Sequence, residues 1–134
     1  MYIVVASSNH EVRAIARIRE NFEHSCKALE FLKSVANQKQ YGAAVRGMRA
    51  LFNRFAESGK SNLTHEMLHE VDKNEEILSF VKGDLRVYCF RDGSHIVLTH
   101  GAIKKTQKVD QGDITSSVSA KKQYFEETGS RKQK

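Results

Sequence analysis

The sequence contains no proline, only two cysteines and no long hydrophobic run. The absence of proline argues against a rigid proline-rich linker between domains. Cys26 and Cys89 lie far apart and form no metal-binding spacing, so a reduced, cytoplasmic setting is the simplest interpretation. No stretch approaches the roughly 18 apolar residues of a transmembrane helix. Residues 1–6 are apolar but short and have no preceding basic region, which argues against a signal peptide.

The apolar content and the sign of the charge indicate the class of the protein. The chain has 134 residues, of which 40% are hydrophobic, so residues 1–134 are predicted to fold as one domain with a core. The formal net charge is +6. This charge favours an anionic partner such as RNA, DNA or an acidic protein segment, and the alternative is that it only aids solubility. The polar, basic tail, residues 128–134, is predicted to be flexible.

The clearest local signal is a three-stranded antiparallel meander in the second half of the chain. Asp92-Gly93 separates two runs that are rich in β-branched and aromatic residues, which is the strongest short signal for a hairpin. Gly83-Asp84 follows an earlier apolar run and favours a second tight turn. The strands are predicted at residues 77–82, 85–91 and 95–103.

Alternation sorts the side chains of the middle strand onto two faces. Leu85, Val87 and Cys89 point to one face, and Arg86, Tyr88 and Phe90 point to the other. An arginine between aromatic rings on an open sheet face could contact phosphate while the rings stack on bases. The alternative is that both rings belong to the core and that the arginine reaches past them to solvent.

The remaining sequence predicts one strand and three helices. Residues 2–6 are typical of a short strand. Residues 10–37 are predicted to form one long helix, whose apolar positions recur every three or four residues at Ile15, Ile18, Phe22, Cys26, Leu29 and Leu32. A second helix ends at Gly59 and has a buried stripe of Val45, Met48, Leu51, Phe52 and Phe55. A last helix is predicted at residues 110–127, with Asp110 as N-cap and Asp113 in the first turn.

One short motif indicates a different chemistry. His65-Glu66-Met67-Leu68-His69 matches the H-E-x-x-H pattern, in which two histidines one helical turn apart bind zinc and the glutamate acts as general base. The helix available, residues 63–71, is short, and no third ligand has a distinctive spacing. A pair of surface histidines is therefore the favoured interpretation, and no metal site is predicted.

Three runs in the second half resemble a known family. They are Phe-Val-Lys-Gly-Asp-Leu-Arg-Val-Tyr at residues 80–88, Ile-Val-Leu-Thr-His-Gly at residues 96–101, and Ile-Lys-Lys-Thr-Gln-Lys at residues 103–108. Together they resemble the RelE/ParE superfamily of bacterial toxins, specifically its phage-derived, HigB-like branch. The resemblance covers residues 77–127 well and the N-terminal half in outline. Ala102 replaces the usual aromatic residue, and Val109-Asp110 replaces the usual Thr-Pro.

The resemblance implies an α+β fold and a type II toxin–antitoxin toxin. The N-terminal strand would join the three-stranded meander in a small antiparallel sheet, packed against a helical hairpin and followed by a C-terminal helix. The activity implied is that of a ribosome-dependent mRNA interferase, an endoribonuclease that needs no metal or other cofactor. The implied partners are mRNA on the ribosome and an antitoxin of the helix-turn-helix type, with no membrane and no small molecule.

The resemblance also suggests roles for particular residues. In such cleavage the RNA 2′-hydroxyl attacks the adjacent phosphate, and Arg86 and Lys104 are expected to stabilise the charge that develops there. His100 or Tyr124 is the candidate for proton transfer. Alternation places His100 with Ile96 and Leu98, so a hydrogen-bonded core histidine is an open alternative. The RNA-binding candidates are Lys82, Tyr88, Arg91, Lys105 and Lys108.

Two other functions remain open at this point. The same superfamily contains ParE-like toxins that poison DNA gyrase by binding, and the fold does not separate them from nucleases. A catalytically inactive, phage-derived binding module is also compatible with the missing aromatic residue at Ala102. A zinc metallopeptidase that uses His65, Glu66 and His69 is the least favoured alternative.

Overall fold

The centre of the molecule is a six-stranded mixed sheet. The computed structural model of the chain describes residues 1–18, 24–105 and 110–129. Its strands are β1 (Tyr2–Ser7), β2 (Glu11–Ile15), β3 (Arg17–Ile18), β4 (His24–Ser25), β5 (Leu68–Asp72), β6 (Ile77–Lys82), β7 (Leu85–Asp92) and β8 (His95–Ile103). Its helices are α1 (Lys27–Ala36), α2 (Gly42–Ser58), which continues into a 3₁₀ turn (Gly59–Asn62), and α3 (Gln111–Thr128).

The predicted meander is confirmed. The strand order in the main sheet is β1-β2-β8-β7-β6-β5, and β6, β7 and β8 pair antiparallel through tight turns. Gly83 and Gly93 adopt φ values of 57° and 61° in those turns, a conformation that glycine reaches without steric cost. Strands β3 and β4 form a separate two-stranded sheet.

The prediction of one long helix over residues 10–37 was wrong. Residues Glu11–Ile15 form β2, whose side chains alternate between half-buried and buried, and helix α1 begins only at Lys27. Strand β2 pairs antiparallel with β1 and parallel with β8. The N-terminal strand therefore joins the sheet of the meander as expected, but through β2. Residues 19–23, which include the predicted helix position Phe22, lie outside the described residues.

The two faces of the sheet carry different layers, as the α+β prediction requires. Helices α1 and α2 cover one face and form the larger core with Leu85, Val87 and Cys89. Helix α3 covers the other face, where a smaller core contains Tyr88 and Phe90. The predicted stripe of α2 is buried throughout. Alternation along β7 was thus predicted correctly.

Helix α3 begins and ends close to the predicted positions. The carboxylate of Asp110 accepts a hydrogen bond from the backbone N–H of Gly112 at 2.7 Å, which confirms the predicted N-cap. The helix ends at Thr128, and Gly129 follows in the left-handed conformation. Of the tail predicted to be flexible, residues 130–134 lie outside the described residues. Within the described ranges, the helices are too short or too polar to span a lipid bilayer.

Candidate functional site

A β-bulge between β7 and β8 decides which face carries His100. Cys89 lies opposite Leu98, but Tyr88 lies opposite His100, so Thr99 is the extra residue. A bulge of one residue reverses the alternation beyond it. His100 therefore faces α3 beside Tyr88, and its predicted position with Leu98 was wrong.

The His100 ring is held on three sides. It stacks on the Tyr88 ring with 5.1 Å between the ring centres. Its Nε2 lies 3.0 Å from Oδ1 of Asp113, and its Nδ1 lies 3.1 Å from the hydroxyl of Thr99. Because a carboxylate only accepts, Nε2 carries the proton. The Thr99 hydroxyl has one proton, which it can donate to Nδ1 of the neutral ring or to the backbone oxygen of Tyr88, 3.3 Å away. The ring is thereby fixed in one tautomer and one orientation.

Asp113 is shared between His100 and Lys104. Its Oδ2 lies 2.9 Å from Nζ of Lys104, which also approaches Asp110 at 3.3 Å. Burial alone would raise the pKa of Asp113, but the hydrogen bonds from Lys104 and His100 hold that pKa below its usual value. The hydrogen bond to Asp113 in turn raises the pKa of Lys104. At neutral pH the two side chains are therefore a carboxylate and an ammonium ion.

Tyr88 forms the inner wall of this cluster. Its side chain is buried, and burial, together with the negative charge of Asp113, raises the pKa of Tyr88 to about 12. The phenol therefore stays neutral at physiological pH and packs under His100. This burial confirms the alternative in which Tyr88 belongs to the core, so its ring face is covered by protein.

Arg86 lies at the same end of the sheet as Lys104. Arg86 and Tyr88 are two residues apart in β7, so their side chains lie on the same face of the sheet. Arg86 pairs with Ala102 of β8. One guanidinium nitrogen donates to the backbone oxygens of Gly83 and Leu85, at 2.7 and 3.0 Å. These contacts hold the half-buried side chain at the β6–β7 turn, with its positive charge close enough to act on the Tyr88 hydroxyl. We call Arg86, Tyr88, His100, Lys104 and Asp113 the His100 cluster.

Tyr124 lies in a separate polar cluster at the other end of α3. Its hydroxyl donates to Asp92 at 2.7 Å and accepts from Arg13 at 2.7 Å. Burial and the carboxylate of Asp92 raise the pKa of Tyr124 to about 12. Tyr124 thus does not join His100, although both were predicted as candidates for proton transfer.

The remaining predicted RNA-binding residues are spread over the surface. Lys82 is in register with Leu85 and packs its chain over Gly47 of α2, so it lies on the sheet face opposite the His100 cluster. Arg91 is exposed near the far end of β7. Lys105 is exposed next to Lys104, and Lys108 lies outside the described residues.

The H-E-x-x-H segment is not helical. His65 and Glu66 lie in a turn, and His69 lies in β5. The two imidazole rings stack with 4.8 Å between their centres, and Nδ1 of His69 bonds to the backbone oxygen of His65 at 2.9 Å. The described part of the chain brings no three His, Cys, Asp or Glu side chains together as a metal site. The spacing needed for zinc therefore rested on a helix that does not form.

Sequence reasoning missed the contact of Asp113 and Thr99 with His100. Asp113 was recognised only as a favourable charge in the first turn of α3. Its contact with His100 depends on how α3 crosses the sheet and on the bulge at Thr99, and local sequence patterns specify neither. A polar Thr99-His100-Gly101 run at the end of an apolar strand is the signal that could have suggested a bulge.

The His100 cluster can hold a histidine in one tautomer beside two cations, which is suited to proton transfer next to an anionic group. Comparison with known proteins adds nothing to this geometry. No protein-family model matches the sequence, and no curated protein matches it either.

Proposed function

We propose that this protein is the toxin of a type II toxin–antitoxin pair and that it cleaves mRNA on the ribosome without a metal ion. The observation that supports this proposal is the convergence of Arg86, His100 and Lys104 at one end of β7 and β8. These are three of the four residues for which the family resemblance implied a catalytic role. The same resemblance suggests a cytoplasmic protein with a helix-turn-helix antitoxin.

The cluster offers groups for each demand of the reaction. Lys104 and Arg86 carry positive charge toward a phosphate whose negative charge increases as the RNA 2′-hydroxyl attacks it. As the O2′–P bond forms, Nδ1 of His100 takes the proton of the 2′-hydroxyl, and Asp113 at Nε2 stabilises the imidazolium ion. As the bond from phosphorus to the 5′-oxygen breaks, His100 returns this proton to the leaving oxygen. An RNA phosphate beside Lys104 competes with Asp113 for the ammonium group, while the other carboxylate oxygen of Asp113 keeps its contact with Nε2 of His100.

A second candidate function is a catalytically inactive binding module. Both ring nitrogens of His100 have hydrogen-bond partners, and Lys104 lies between two carboxylates, Asp110 and Asp113. The positive charge of Lys104 is then neutralised by these carboxylates unless a ligand changes the contacts. The nuclease proposal thus predicts that a substrate draws Lys104 away from Asp113 and replaces the Thr99 hydroxyl at Nδ1 of His100, whereas the binding module needs no such change.

The test compares two variants that each replace one arginine by glutamine. Purified protein is added to in vitro translation of a defined mRNA, and cut sites are mapped by primer extension. Arg86→Gln should lower the cleavage rate about a hundredfold or more, as expected when a donor to the developing charge is lost. Arg49→Gln, on the exposed side of α2, should cleave like the wild type, and EDTA should leave cleavage intact.

Circular dichroism and thermal melting verify that both variants fold. Full cleavage by a folded Arg86→Gln protein would remove the His100 cluster from the reaction. Intact mRNA with wild-type protein would refute the nuclease. In that case, gyrase-dependent DNA breaks would identify the ParE-like alternative, and their absence would favour the binding module.

A further inference from the structure

We propose that a cavity on the other side of His100 binds one phosphate group of an RNA backbone. The cavity measures about 60 Å³ and lies between α3, the end of β2 and the start of α1. Its polar lining consists of Arg17, Ser25, Lys27, Thr99, His100 and Ser116. This inference rests on the proposed function, because it treats the bound anion as part of the substrate.

The size and the lining of the cavity fit a small oxyanion. A single water needs only about 10–15 Å³ of such space, so the volume admits a group of several heavy atoms but excludes a base with its ribose. Arg17 and Lys27 supply two positive charges, and guanidinium and ammonium groups both bind phosphate. The described residues that line the cavity include no carboxylate.

Among the described residues, the ion pair that competes for Arg17 is weak. Its guanidinium lies 3.9 Å from a carboxylate oxygen of Glu127, and both side chains are more than two-fifths exposed, at 43% and 41%. Exposed ion pairs of this kind contribute little to stability. A phosphate in the cavity can therefore replace the Glu127 contact of Arg17 at little cost in stability.

The position of His100 connects this cavity to the proposed reaction. The ring lines the cavity and also bonds to Asp113, which binds Lys104. A strand of RNA that places one phosphate beside Lys104 could place a neighbouring phosphate in the cavity, with His100 between them. The cavity would then fix the register of the RNA, and the His100 cluster would act on the bond.

The first arm of the test uses inorganic phosphate and the full-length ¹⁵N-labelled protein. Saturable shifts are expected for the backbone amides of Ser25, Lys27 and Ser116. The Arg17→Gln/Lys27→Gln double variant should bind phosphate at least tenfold more weakly. The matched control, Lys33→Gln/Lys39→Gln, removes the same charge from exposed sites outside the cavity lining and should bind like the wild type.

The second arm uses a short single-stranded RNA over a range of salt concentrations. Loss of one phosphate contact should lower the slope of log affinity against log salt by about 0.7 in the double variant and not in the control. Ser116→Asp provides an independent variant, because it places a carboxylate at the exposed rim of the cavity and should repel the same phosphate.

The two arms separate this inference from the proposed function. Absence of saturable phosphate shifts, or equal shifts in the wild type and the double variant, would overturn the cavity as an anion site. Phosphate binding with an unchanged RNA slope would overturn its assignment to the RNA backbone. Phosphate binding and a reduced slope in a protein that does not cleave mRNA would support the cavity and refute the nuclease.

Discussion

Adding one methyl group at Gly101 should destabilise the fold, because this glycine follows His100 and is covered by an aromatic ring. A Cβ at Gly101 would lie 2.1 Å from Cδ2 of Phe31 and less than 3 Å from two other ring carbons. The ring belongs to α1, is half-buried and packs against the main core, so turning it away would lose part of that packing. Gly101 is not among the residues with positive φ, and steric overlap is therefore the expected cause.

Overpacking of this kind lowers the free energy of unfolding by about 1–3 kcal/mol. The replacement of glycine by alanine also reduces the entropy of the unfolded chain, which raises the free energy of unfolding by about 0.4–1 kcal/mol. Gly101→Ala should therefore lower the free energy of unfolding by roughly 1–2 kcal/mol, measured by urea denaturation at neutral pH. Gly47→Ala is the matched control. Its Cβ would lie 2.5 Å from Cε of Lys82, near the end of an exposed, flexible side chain that can swing aside.

Gly47 also lies inside α2, where alanine is favoured over glycine by about 0.8–1 kcal/mol, so the control should be neutral or stabilising. Combining Gly101→Ala with Phe31→Ala should cost less than the sum of the two changes, since the first overlap disappears with the ring. A Gly101→Ala protein as stable as the wild type, or an equal loss in both glycine variants, would refute this account of the α1–β8 contact.

Two further predictions concern α3. The pKa of Tyr124 is about 12 in the folded protein, above the unfolded value of about 10. Its contribution to the free energy of unfolding is therefore present below pH 10 and is lost as the pH rises toward 12. The loss is at most about 2.7 kcal/mol. Denaturation curves of Tyr124→Phe should therefore depend less on pH in that range than those of the wild type, and an equal slope would contradict the assignment. Asp110→Ala should cost about 1 kcal/mol through the lost N-cap, whereas Asp110→Ser should retain most of the stability in the same assay.

The parts of the fold that follow from local signals were predicted from the sequence. The turns at Gly83 and Gly93 need positive φ, and glycine marks them directly. The buried apolar residues of α2 recur with the helical period over the whole helix. Asp110 caps α3 through a hydrogen bond to a residue two positions along the chain. Each of these features depends on residues that are close in the chain.

Strand β2 was not predicted because its pairing with β8 depends on distant residues. Val12 and Ala14 are fully buried and lie two residues apart, which is the side-chain period of a strand. The helical spacing of apolar residues in α1 nevertheless continues backward through Ile18, in β3, to Ile15, in β2. The parallel pairing of Val12 with Ile96 that decides between the two patterns joins residues far apart in the sequence.

The bulge at Thr99 explains why the candidate site was predicted only in part. Without the extra residue, His100 would alternate with Leu98 and face the apolar layer of α1 and α2, where its ring nitrogens would need buried partners. With the bulge, His100 faces Asp113. Gly101 then faces Phe31, whose ring occupies the space that a Cβ at this position would need. The hydroxyl of Thr99 bonds to Ser117 of α3 at 2.9 Å, so the inserted residue also ties the helix to the strand. A single irregularity therefore couples the packing of α1 on one face of the sheet to the orientation of His100 on the other, and alternation alone does not reveal it.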